Sequence, residues 1–70
     1  MAWVNEFTST TPDGKRVQYD TNALAHHSHA ERPDRVRVSG RVVHKGYASD
    51  HKGYALYQAY VQGTITPERD

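Results

Sequence analysis

Arg35-Val36-Arg37-Val38-Ser39-Gly40-Arg41-Val42-Val43-His44-Lys45 is the stretch that decides the fold. Val36, Val38, Gly40 and Val42 fall on one parity, and Arg35, Arg37, Ser39, Arg41 and Lys45 on the other. Alternation with period two is the mark of a half-buried strand, because successive side chains point to opposite faces of a sheet. Only Val43 breaks the polar parity. The pattern predicts a single strand of about ten residues with a basic outer face.

Upstream, Trp3 to Thr8 is rich in strand formers, and Lys15 to Asp20 alternates with Val17 and Tyr19 on one side and Arg16 and Gln18 on the other. Between them stands Thr11-Pro12-Asp13-Gly14. Proline presets the first turn position and glycine accepts a positive φ, so these segments form a hairpin. Thr21 or Asn22 is a good cap for a short helix from Ala23 to about Ala30, which Arg32-Pro33 would end. An irregular segment across one face of the sheet is the alternative.

Downstream, Tyr54 to Thr66 is read as a last strand, with Ala55, Tyr57, Ala59, Val61 and Ile65 on one face and Tyr54, Leu56, Gln58, Tyr60, Gln62 and Thr64 on the other. Its rival is a helix from Asp50 ending at Gly63. His44-Lys45-Gly46-Tyr47-Ala48 recurs as His51-Lys52-Gly53-Tyr54-Ala55, a period of seven, too short for a solenoid unit. The two copies are expected to flank a hairpin loop.

The fold class is therefore small α+β, mostly antiparallel β, with two hairpins and a short helix or irregular segment between them. One domain spans residues 1–66, and residues 67–70 are a frayed tail. The expected core is Trp3, Phe7, Val17, Tyr19, Val36, Val38, Val42, Tyr57, Val61 and Ile65.

Size and composition narrow the function. Seventy residues with 36% hydrophobic content and mean hydropathy −0.90 give a thin core. Domains this small usually need a staple or a partner surface. With no cysteine, disulfides and thiolate zinc sites are excluded. Neither a membrane span nor a signal peptide is visible, and a cytoplasmic location is expected. The chain is too short for a doubly wound sheet or a barrel.

Catalysis has no framework. Ser28 lies among His26, His27 and His29 but has no glycine elbow, nothing pairs the carboxylates, and Gly46 and Gly53 lack the spacing of a phosphate loop. The histidines fit no metal-binding framework either, so neither a metal nor a cofactor is assigned.

Charge is uneven despite a formal net of +1: residues 32–52 hold six of the nine basic residues against Asp34 and Asp50. Arg35, Arg37, Arg41 and Lys45 on one strand face, with Lys52 and the neighbouring Tyr54 and Tyr60, suit single-stranded nucleic acid or RNA. Cations meet phosphates there and rings stack on bases. The bland account is a solvated arginine face, and a pI near 8.1 is lower than dedicated nucleic-acid domains show. The alternative function is a protein-binding module, a small inhibitor or assembly factor, using the same Tyr/Arg face toward a foreign partner or a second copy of itself.

Overall fold

The computed structural model describes residues 3–22 and 32–65. Four antiparallel strands form one sheet in the order β1-β2-β3-β4: β1 Trp3–Thr10, β2 Arg16–Asn22, β3 Pro33–Val38 and β4 Arg41–Tyr47. A short 3₁₀ turn, Ala48–Asp50, leads into a single helix, α1, Lys52–Gln62. The mostly β architecture with two hairpins is as the sequence predicts. A helix between the hairpins, at Ala23–Ala30, would lie outside the described residues.

The first hairpin turns as its residues dictate. Gly14 takes φ +94°, its N–H donates to the Thr11 carbonyl at 2.9 Å, and the Thr11 hydroxyl donates to Asp13. The second hairpin is where the sequence misleads. Ser39 and Gly40 both take positive φ, 52° and 83°, and form a two-residue turn inside the expected single strand. Such a turn sets Val38 opposite Arg41, and cross-strand partners share a face. Val42 therefore sits opposite Arg37 on the other face, 41% exposed, and is no part of the core. At Val43 an extra residue enters β4, so His44 pairs with Val36 and Lys45 with Arg35.

Residues 54–62 are helical, contrary to the strand reading. The alternation rested largely on Ala55 and Ala59, small residues that fit either period and favour helix. The residues that α1 buries, Gly53, Tyr57 and Tyr60, instead follow a spacing of four and three. Gly63 closes the helix at φ +79°: its N–H reaches the Tyr60 carbonyl and the Thr64 N–H the Ala59 carbonyl.

Helix α1 covers one face of the sheet. Val17, Tyr19, Val36 and Val38 meet Tyr57 and Tyr60 there, with Val43, Leu56 and Val61 packed against them. Phe7, Tyr19, Tyr54 and Tyr57 form an aromatic cluster with centroids 5.5–6.3 Å apart. Of the expected core, Phe7 and Ile65 remain 47% and 39% exposed, and Trp3 belongs to the opposite face.

A carboxylate lies within this packing. Asp34 is buried and its Oδ2 accepts a 2.7 Å hydrogen bond from the Tyr19 hydroxyl, while Oδ1 has no hydrogen-bond partner among the described residues. Both glycines of the repeated pentapeptide lie beside it, and Gly53 makes room for it. A Cβ on Gly53 would stand 2.7 Å from Asp34 Oδ2, and one on Gly46 would stand 3.7 Å from Oδ1. The two copies thus flank the turn between β4 and α1, not a hairpin loop, and both approach one side chain.

Candidate nucleic-acid interface

No helix lies on the other face of the sheet among the described residues. The register sets out its side chains in rows. Trp3 stands opposite Asn22, and Pro33 opposite Tyr47. The next row runs Asn5, Asp20, Arg35 and Lys45, followed by Thr8, Gln18, Arg37 and Val42. Arg16, paired with Thr10, extends the same face. Four strands about 4.8 Å apart make this surface roughly 14 Å wide between its outer strands.

Asp20 organises the face. It is only 1% exposed, and two arginines of the same face bind it. Arg35 Nε and Arg37 Nε donate to its Oδ2 at 2.8 and 2.7 Å, and Asn5 Nδ2 donates to Oδ1 at 3.0 Å. Asn5 is itself held by the Thr8 hydroxyl, which donates to its Oδ1 at 2.6 Å. Burial works against ionisation of Asp20, but the hydrogen bonds from Asn5, Arg35 and Arg37 outweigh it and hold the carboxyl below its ordinary value. Both arginines bind Oδ2 through Nε, which fixes their stems, and Arg37 Nη2 also reaches Oδ1 at 3.5 Å. The Arg35 guanidinium also lies over the Trp3 ring, 4.1 Å from its centroid.

At one end the face sinks into an open depression of about 350 Å³, lined by Trp3, Asn22, Pro33, Asp34, Lys45, Gly46 and Tyr47. Tyr47 is 54% exposed, and the Asn22 Oδ1 is buried without a hydrogen-bond partner among the described residues. Arg16, Arg35, Arg37 and Lys45 against Asp20 leave the face strongly basic.

The structure therefore divides the residues singled out in the sequence. Arg35, Arg37 and Lys45 come together on this face. Arg41, opposite Val38, is turned to the helix side, and Lys52 begins α1. Tyr54 joins the aromatic cluster on the helix side, and Tyr60 is a core residue at 7% exposure, so neither ring belongs to the face that carries Arg35 and Arg37. Trp3 and Tyr47 take their place as the aromatics of the basic face. The signal for Trp3 was its shared parity with Asn5; Tyr47 and Asn22 enter only through pairing across strands.

Among the described residues no three His, Asp or Glu side chains gather in a way that could hold a metal ion; His26, His27 and His29 lie outside them. None of the described helices is long and apolar enough to cross a membrane. No family model matches the chain, and neither the curated proteins nor the solved structures contain a match.

Proposed function

We propose that this protein is a non-enzymatic binding module that takes single-stranded nucleic acid on the face of its sheet opposite α1. The observation behind this reading is the grouping of Trp3, Lys45 and Tyr47 around one depression, with Arg35 over the Trp3 ring. Sequence-tolerant single-strand binding needs cations along a backbone track and aromatic faces for stacking, and a sheet surface offers both side by side. Asp20 does not cancel the cations. It accepts from Arg35 through Nε and from Arg37 through Nε and, at 3.5 Å, Nη2, and the other fork nitrogens are the ones this reading gives to phosphate oxygens.

Trp3, the single tryptophan, supplies the readout. Titrating a mixed-sequence single-stranded oligonucleotide should quench its fluorescence saturably. The log affinity should fall against log salt with a slope of about −2 to −3, for three or four phosphate contacts at roughly 0.7 each. Lys45→Glu should weaken binding and flatten that slope while leaving the circular dichroism unchanged. Absence of saturable binding at low salt would retire the reading and leave the face for a protein partner.

A further inference from the structure

The aromatic rings and cations at this end of the sheet are set out in step. Trp3 on β1 stands opposite Asn22, Tyr47 on β4 stands opposite Pro33, and all four line the depression of about 350 Å³. Trp3 and Tyr47 therefore belong to the two outer strands, whose backbones lie three inter-strand spacings, or about 14 Å, apart. Each ring has a cation of its own. The Arg35 guanidinium lies 4.1 Å from the Trp3 ring centroid, and Lys45, two residues before Tyr47 on the same strand, lines the depression beside it.

Bases stacked on one another rise about 3.4 Å along a strand. Bases splayed onto protein rings leave a ring's thickness between neighbours, so their spacing about doubles, to ~7 Å. Two such steps span the distance from Trp3 to Tyr47. We propose that this end of the sheet is a three-nucleotide site, crossed by a single strand from one sheet edge to the other. Its outer two bases stack on Trp3 and Tyr47, and its two linking phosphates meet Arg35 and Lys45. Arg35 takes one face of the Trp3 ring, so the base takes the other, and the middle base lies over the depression against Pro33. A path along the strands would meet only one of the two rings. An aromatic with a cation, repeated across the sheet, complements a base with a phosphate repeated along a chain. The inference rests on the nucleic-acid reading above and deepens it, from a basic face to a site of fixed length and direction.

The test measures how oligothymidylates of two, three, four and six nucleotides displace a fluorescently labelled twelve-nucleotide chain at low salt. Thymine stacks little on itself, so added length reports contacts with the protein. Affinity should rise about tenfold or more from two nucleotides to three, where the second ring is engaged, and less than about threefold for each nucleotide added after that. Tyr47→Ala, at a residue 54% exposed, should shrink the step from two to three nucleotides to within about twofold. A smooth rise with length, a step at another length, or a step in Tyr47→Ala as large as in the wild type would overturn the three-nucleotide site, while binding of the labelled chain leaves the face reading standing. If the labelled chain itself does not bind, the face reading falls and the three-nucleotide site with it. The length series in the wild type requires no variant to fold.

Discussion

Each face of the sheet buries one aspartate to the same degree, 1% exposed, and does so by opposite means. On the helix side, Asp34 is enclosed by shape: Gly53 makes room for it, Tyr19 donates one hydrogen bond, and one oxygen has no partner among the described residues. On the side opposite α1, Asp20 is enclosed by its own counter-ions, with Asn5, Arg35 and Arg37 as both lid and donors. Burial by packing should therefore be sensitive to added volume. Burial by ion pairing should be sensitive to charge.

The largest effect should come from Asp20→Ala, which leaves two guanidinium groups facing each other without their shared carboxylate. Breaking a buried ion pair costs about 3–5 kcal/mol, and the arginine side chains here are 20% and 26% exposed, which favours the lower end, about 3 kcal/mol. Urea denaturation would measure it, and a loss below about 1 kcal/mol would mean that Asp20 does not hold this face together.

Gly53→Ala tests the packed side. The added methyl would stand 2.7 Å from Asp34 Oδ2 and 3.0 Å from Cγ, so the helix or the carboxylate must move. Overpacking of this kind costs about 1–3 kcal/mol, offset by up to about 1 kcal/mol of helix propensity. A net loss of about 1–2 kcal/mol is expected. The matching change in the other copy, Gly46→Ala, has as its nearest contact the tip of His44 at 3.2 Å, a side chain that can give way. Its cost should stay below about 0.5 kcal/mol. Equal costs would remove Asp34 as the reason for the difference.

Acid sharpens the contrast. Because the folded-state pKa of Asp20 is lowered, its contribution is fully present above the unfolded value near 3.9 and is lost as pH falls through the folded one. The stability gap between wild type and Asp20→Asn should therefore narrow from pH 5 towards pH 2, measured as chemical denaturation at each pH. A gap that stays constant would mean that the carboxylate's charge contributes nothing.

Alkali acts on the helix side with the smallest effect. Burial, the hydrogen bond to Asp34 and that residue's charge push the Tyr19 phenol well above its ordinary value. Burial, followed by the neighbouring Tyr54, raises Tyr57 as well. A raised folded-state value means the contribution is intact below about pH 10 and is lost as pH rises above it. Ultraviolet titration should show Tyr19 and Tyr57 ionising late, together with unfolding. Five tyrosines titrating as one group near pH 10 would contradict this.

The first hairpin was legible because its turn is written in local chemistry, Pro12-Asp13-Gly14, and its inward residues Val17 and Tyr19 are large. The second was obscured because a two-residue turn at Ser39-Gly40 leaves the alternating pattern unbroken while reversing which parity faces the core. The extra residue at Val43 reverses it again. Arg35, Arg37 and Lys45 therefore share a face as expected, but only because two reversals cancel, and Arg41, lying between them, does not join. The helix offers a sharper lesson. His-Lys-Gly-Tyr-Ala runs from β4 into the 3₁₀ turn at residues 44–48 and from the start of α1 onward at 51–55. No reading confined to those five residues can assign both copies, so tertiary packing decides between them. The depression at Trp3, Asn22 and Tyr47 was illegible for a related reason, since its parts meet only after four strands are laid side by side.

The two bulges have a consequence for the sheet's borders. The register shifts once against each outer strand of the sheet, near Glu6 in β1 and at Val43 in β4, while the β2–β3 pairing is regular throughout. An outer strand with a straight ladder of free N–H and C=O groups is a template on which another chain can add a strand. A bulge interrupts that ladder and increases the local twist. Irregularity placed on both rims and absent from the β2–β3 pairing works against edge-to-edge addition to a small, tyrosine-rich sheet with exposed Val4, Phe7 and Val42.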